Sequence, residues 1–120
     1  MSPNVRALIA YVVGRSVNNK NASAVYDYDV GKYTSASGEV SARRVNVYDY
    51  GSSCYLSGNW QGRTSQLYHY GVGNYIQLTI QGTQFNGYDY STSSYFQGHV
   101  SGSSVSLYDY GDGRYHNFAV

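Results

Sequence analysis

With one cysteine, one proline and only 12% charged residues, this 120-residue chain has few of the devices small proteins use for stability or chemistry. The lone Cys54 excludes an internal disulfide framework and any multi-cysteine metal site. A net charge of +1 gives no long-range attraction to nucleic acid or an anionic membrane. The basic groove that single-stranded nucleic acid requires is missing, so no nucleic-acid partner is expected. The most apolar stretch, Ala7 to Val13, falls far short of the roughly 20 residues that cross a bilayer, so no membrane span is expected. No Gly-x-Ser-x-Gly elbow, His-Glu-x-x-His or Cys-x-x-Cys occurs, so the expectation is a non-enzyme without a cofactor.

What the chain has is tyrosine in tandem repeats. Val25-Tyr26-Asp27-Tyr28 returns at Val47 to Tyr50, Leu67 to Tyr70, Gly87 to Tyr90 and Leu107 to Tyr110, in steps of 22, 20, 20 and 20 residues. A four-residue Gly/Ser-rich segment and a further tyrosine (Tyr33, Tyr55, Tyr75, Tyr95, Tyr115) follow each copy, so the repeats hold 15 of the 16 tyrosines. Such periodicity marks a repeat architecture. The whole chain is read as one domain: five Tyr-Asp-Tyr repeats over residues 25–120, the last truncated, behind a divergent segment 1–24. Residues 7–13, although followed by Ala22-Ser23-Ala24, have too polar an approach in Asn18 to Asn21 for a signal peptide. They are expected to be a strand that caps or closes the sheet.

Numbering Val47 as position 1, positions 2, 4 and 9 are always tyrosine, while positions 10, 12 and 14 are mostly apolar. This period of two predicts strands with one apolar and one polar or aromatic face. Four-residue loops at positions 5–8 and 15–18 put position 4 opposite 9, and position 12 opposite position 1 of the next unit. Gly58 then lies beside Leu67, Leu78 beside Gly87 and Gly98 beside Leu107, each a large residue against a small one. The ten tyrosines at positions 4 and 9 form one row across ten strands, with Tyr26, Tyr48, Tyr68, Tyr88 and Tyr108 beside it. The fold class is all-β: an antiparallel meander of hairpin repeats of about 20 residues, curled into a barrel or sandwich. The alternative is a β-solenoid, which would stack Asp27, Asp49, His69, Asp89 and Asp109 about 4.8 Å apart, an unfavourable column of like charges.

The apolar face, with Val47, Leu56, Trp60, Leu67, Ile76, Leu78, Ile80, Phe85, Phe96, Val100, Val105, Leu107 and Phe118, is the expected core. Each Asp of Tyr-Asp-Tyr is expected to accept hydrogen bonds from loop amides. Cys54 is expected at a solvent-facing turn position. His69, His99 and His116 occupy three different repeat positions, so no metal site is expected.

Tyr-Asp-Tyr-Gly with its following tyrosine resembles the Tyr-Asp repeats of large bacterial shell-forming proteins, over residues 25–120 and in the Tyr-Asp core alone. The Gly-Arg-Leu that follows in those repeats is absent here, and no function is carried across. The expected function is a non-catalytic binding module, with a glycan as partner held by Tyr68, Tyr88, Tyr108, Gln77, Gln97 and Asn117 on the tyrosine face. Sugar rings stack on aromatic platforms while neighbouring amides pair with their hydroxyls. The alternative is a structural, self-assembling surface protein, a homo-oligomer built through sheet edges or faces.

Overall fold

The computed structural model describes residues 1–120. After helix α1 (Pro3–Asn18) come ten strands: β1 (Ala24–Asp27), β2 (Lys32–Val40), β3 (Arg44–Asp49), β4 (Cys54–Gln61), β5 (Thr64–His69), β6 (Asn74–Gln81), β7 (Gln84–Asp89), β8 (Ser94–Ser101), β9 (Ser104–Asp109) and β10 (Arg114–Ala119). Each strand pairs antiparallel with its sequence neighbour, and β1 pairs with β10, so the meander closes into a barrel. The solenoid alternative does not hold.

Segment 1–24 is neither a strand nor a cap outside the sheet. It forms α1, and the helix fills the barrel: Leu8, Ile9, Ala10, Tyr11, Val12 and Val13 are all fully buried. A continuous apolar run reads the same on a strand as on a helix enclosed on every side. The deciding signals lie at its ends. The Ser2 hydroxyl accepts from the Val5 amide, Pro3 occupies the first turn, and Asn19 closes the helix in the left-handed region. Eight strands enclose just enough space for their own side chains. Ten leave room for a helix, and the apolar face of the sheet finds its second layer there.

The aliphatic face does point inward and forms the core around α1. Trp60 and Ile80 differ from expectation, being half-buried at the end of the barrel remote from the Tyr-Asp-Tyr turns. The expected large-and-small pairs are present: Leu78 faces Gly87, Gly98 faces Leu107, and the register around Gly58 places it across from Leu67. Two glycines also make room for rings on the adjoining strand. A Cβ on Gly87 would lie 1.9 Å from the Gln77 carbonyl oxygen and 2.5 Å from Phe96 Cζ; one on Gly98 would lie 2.0 Å from the Ser106 oxygen and 2.5 Å from Phe85 Cζ. Such close approach is what a tightly coiled wall demands of glycine.

One register differs from expectation, and the difference closes the barrel. At the Tyr-Asp-Tyr turns, position 2 rather than position 4 faces position 9: Tyr48 pairs with Tyr55, Tyr68 with Tyr75 and Tyr88 with Tyr95. Position 4 instead enters the loop, where the Tyr70 amide donates to the Tyr55 carbonyl at 3.0 Å and Tyr90 does the same to Tyr75 at 3.1 Å. Crossing two strands from Tyr48 through Tyr55 therefore reaches Tyr70, two residues beyond the repeat equivalent, Tyr68. That drift is the stagger a barrel requires. The opposite hairpins are tight: Gln61 pairs with Thr64 across Gly62-Arg63, with Gly62 at φ 64°, the two-residue type II′ turn.

Candidate functional site

The outward face carries the tyrosines, grouped by the revised register into five triads rather than one continuous row. In each, the ring at position 2 contacts those at positions 4 and 9 edge to face. Tyr88 meets Tyr90 at 4.8 Å and Tyr95 at 4.6 Å between centroids, and Tyr48, Tyr68, Tyr108 and Tyr26 repeat the pattern. Each such contact contributes about 0.5–1.5 kcal/mol beyond area burial, which holds the rings in place before any ligand arrives. The central rings are half-buried and the flanking ones stay open, from 47% exposed at Tyr90 to 71% at Tyr33.

Of the six residues expected to bind, three converge. Gln77 pairs across strands with Tyr88, Gln97 pairs with Asn86, and together with Tyr95 and Tyr110 they line one open depression of about 500 Å³. Tyr108 lies across from Gln97 at its margin. Tyr68 belongs to the neighbouring triad, and Asn117 sits across from Ser106 on the closing strand, away from this depression. A second depression of about 480 Å³ is bordered by Ser37, Glu39, Asn46, Tyr48, Tyr50 and Tyr55. There Arg44 Nε donates to Glu39 Oε1 at 2.7 Å and Ser41 donates to the other oxygen; these bonds hold the Glu39 carboxyl below its ordinary range. A recurring signal was present in the sequence: only the repeats containing Tyr48 and Tyr88 place asparagine two residues before it, as Asn46 and Asn86.

Inside the same rim, the residues at position 3 surround the N-terminal end of α1. All point inward and are buried. Asp27, Asp49, Asp89 and Asp109 each accept a loop amide two residues on, from Asp29, Gly51, Ser91 and Gly111, at 2.8–3.0 Å. A ring of carboxylates suits the positive end of a helix dipole. Asn4 Nδ2 also donates to Asp49, while Arg6 Nη1 lies 3.3 Å from Asp109 Oδ2. Asp89 Oδ2 is buried without a partner. Asp49 and Asp109 thereby tie the helix to the rim, and all four carboxylates lie buried beneath the outer surface.

Asp109, Asp112 and His116 lie close enough to suggest metal ligands. Both His116 ring nitrogens are already committed to carboxylates, Nδ1 to Asp29 and Nε2 to Asp112, and the Arg6 cation sits 3.8 Å from Asp112, so the cluster is paired within the protein. The group ties the turn after β1 to β10, across the seam that closes the barrel. Although burial works the other way, bonds from His116 and the Arg114 amide keep the Asp112 carboxyl below its ordinary range.

Cys54 is buried, not solvent-facing, because the loop occupies residues 50–53 and position 8 opens the next strand facing inward. Its sulfur lies 4.0 Å from His69 Nδ1 and 3.9 Å from Nε2, so it is not aligned with either nitrogen's lone pair. His69 Nδ1 accepts from the Gly71 and Val72 amides at 3.0 and 3.1 Å, and Nε2 donates to Asn4 Oδ1 at 3.1 Å. Both nitrogens are thus committed to structure, and the ring has no free site from which to deprotonate the thiol.

This arrangement requires neutral His69. Burial lowers its proton affinity below the ordinary value of 6.5, outweighing the charges of Asp49 and Asp89 that favour protonation. The stability it contributes is complete above the unfolded value near 6.5 and is lost as pH falls through the lower folded value. Urea unfolding should therefore show stability declining between neutral and mildly acid pH, with a shallower decline in His69→Asn, whose amide oxygen can still accept a loop amide. Equal slopes in both proteins would assign the pH dependence elsewhere.

Comparison with protein-family models, curated proteins and solved structures finds no match for this chain. No helix is long and apolar enough to cross a membrane. The outward face beyond the tyrosines is a band of amides and hydroxyls, including Ser57, Gln66, Gln77, Thr79, Asn86 and Gln97.

Proposed function

We propose that the protein is a non-catalytic glycan-binding module acting through its tyrosine rim. The observation that carries this reading is the depression where Tyr88, Tyr95 and Tyr110 stand beside the amides of Gln77, Asn86 and Gln97. A pyranose ring has apolar C–H faces and an equatorial fringe of hydroxyls, and this surface offers the complement of each. Ring orientation is set by contacts within the triads, so little ordering cost falls on binding. The alternative, self-assembly, loses its edge-to-edge route because closure between β1 and β10 leaves no unpaired strand.

Screening on a glycan array followed by calorimetric titration tests the reading. Tyr88→Ala should weaken binding about tenfold, equivalent to ~1.4 kcal/mol, while the barrel remains folded by circular dichroism. An array with no bound glycan, together with a Tyr88→Ala protein altered only in stability, would leave the tyrosines as cross-strand packing and nothing more.

A further inference from the structure

Resting on the glycan reading above, the geometry points to two N-acetyl-sugar sites on opposite sides of the barrel, which let one molecule bridge two glycan chains. Three of the five repeats place an exposed primary amide on the outward face two residues from the central tyrosine, as Asn46, Gln66 and Asn86, and of these the two asparagines border the depressions beside Tyr48 and Tyr88. The depressions around these two asparagines have nearly the same size, about 480 and 500 Å³, and share the same tyrosine pair from positions 2 and 9. A primary amide donates and accepts at once. It therefore complements an acetamido group, which also presents one donor and one acceptor, better than it complements a lone hydroxyl. Gln77 and Gln97 add further amides at one site, whereas Ser37 and the ion-paired Glu39 border the other.

Their placement sets the valency. Asn46 and Tyr48 lie on β3, and Asn86 and Tyr88 lie on β7, four strands away on a closed ring of ten. The sites consequently face nearly opposite directions on a body about 30 Å wide. A short oligosaccharide filling one cannot reach the other without winding around the wall, so each site takes its own ligand.

Titration of the full chain with chitohexaose, a β-1,4-linked hexamer of N-acetylglucosamine, and in parallel with cellohexaose, tests this inference. Two chitohexaose molecules should bind per chain. Asn46→Ala and Asn86→Ala should each reduce that number to one, and the double variant should abolish binding. Both asparagines are exposed, so folding should be preserved and can be checked by thermal unfolding. A stoichiometry of one overturns the two-site inference while leaving the glycan reading intact. Binding of cellohexaose without chitohexaose overturns the acetamido assignment. Binding of neither, with an empty glycan array, removes the glycan reading and this inference together.

Discussion

Gly87→Ala should lower stability by about 3 kcal/mol or more, a large loss from the 5–15 kcal/mol typical of a domain. On thermal unfolding, the midpoint should fall by about 10 °C or more. The added methyl group would meet the Gln77 carbonyl oxygen at 1.9 Å as well as the Phe96 ring at 2.5 Å. A side chain can rotate away, but a carbonyl within a hydrogen-bonded ladder moves only with its strand. Phe96→Leu in the Gly87→Ala background should therefore recover part of the loss and leave the backbone part in place. A variant melting within a degree or two of wild type would mean that the two strands are not so close there.

Ile9→Asp should prevent folding at neutral pH, giving an unfolded far-ultraviolet circular dichroism spectrum or insoluble protein. Ile9 is fully buried at the centre of α1, which is enclosed by the barrel wall. An unpaired carboxylate there loses its hydration without gaining a partner, a cost of several kcal/mol even after the group takes up a proton. Ile9→Val, which removes one methylene, should still fold and should lose about 0.5–1.5 kcal/mol. A soluble Ile9→Asp protein with wild-type unfolding would place this face of the helix outside the barrel.

Both variants test features whose visibility in the sequence differed. The complementary pairs Leu78 with Gly87 and Gly98 with Leu107 followed from alternation and repeat length, because a period of two assigns every side chain to a face. A register shift of two residues preserves those faces. Alternation could therefore identify the core while misplacing Tyr50 and Tyr70, and the preference between the registers comes from the cooperative requirement that ten strands close with stagger. The helix was obscured for a related reason. Patterning reports contrast between wet and dry faces, and Ala7 to Val13 have no wet face inside a barrel.

The candidate site divides in the same way. Tyr88, Gln77 and Gln97 were legible as outward neighbours from strand alternation, whereas Tyr110 joins them only through the drift that carries each triad beside the next. The sequence by itself determined the repeat, the antiparallel strands and the separation of an aliphatic face from an aromatic and amide-rich one, since each depends on local period and turn chemistry. Tertiary structure alone decided that the sheet closes, that the first segment fills it as a helix and that the depressions beside Asn46 and Asn86 face away from each other. Those outcomes depend on how ten strands share one axis and on what volume they leave inside, quantities that no single repeat contains.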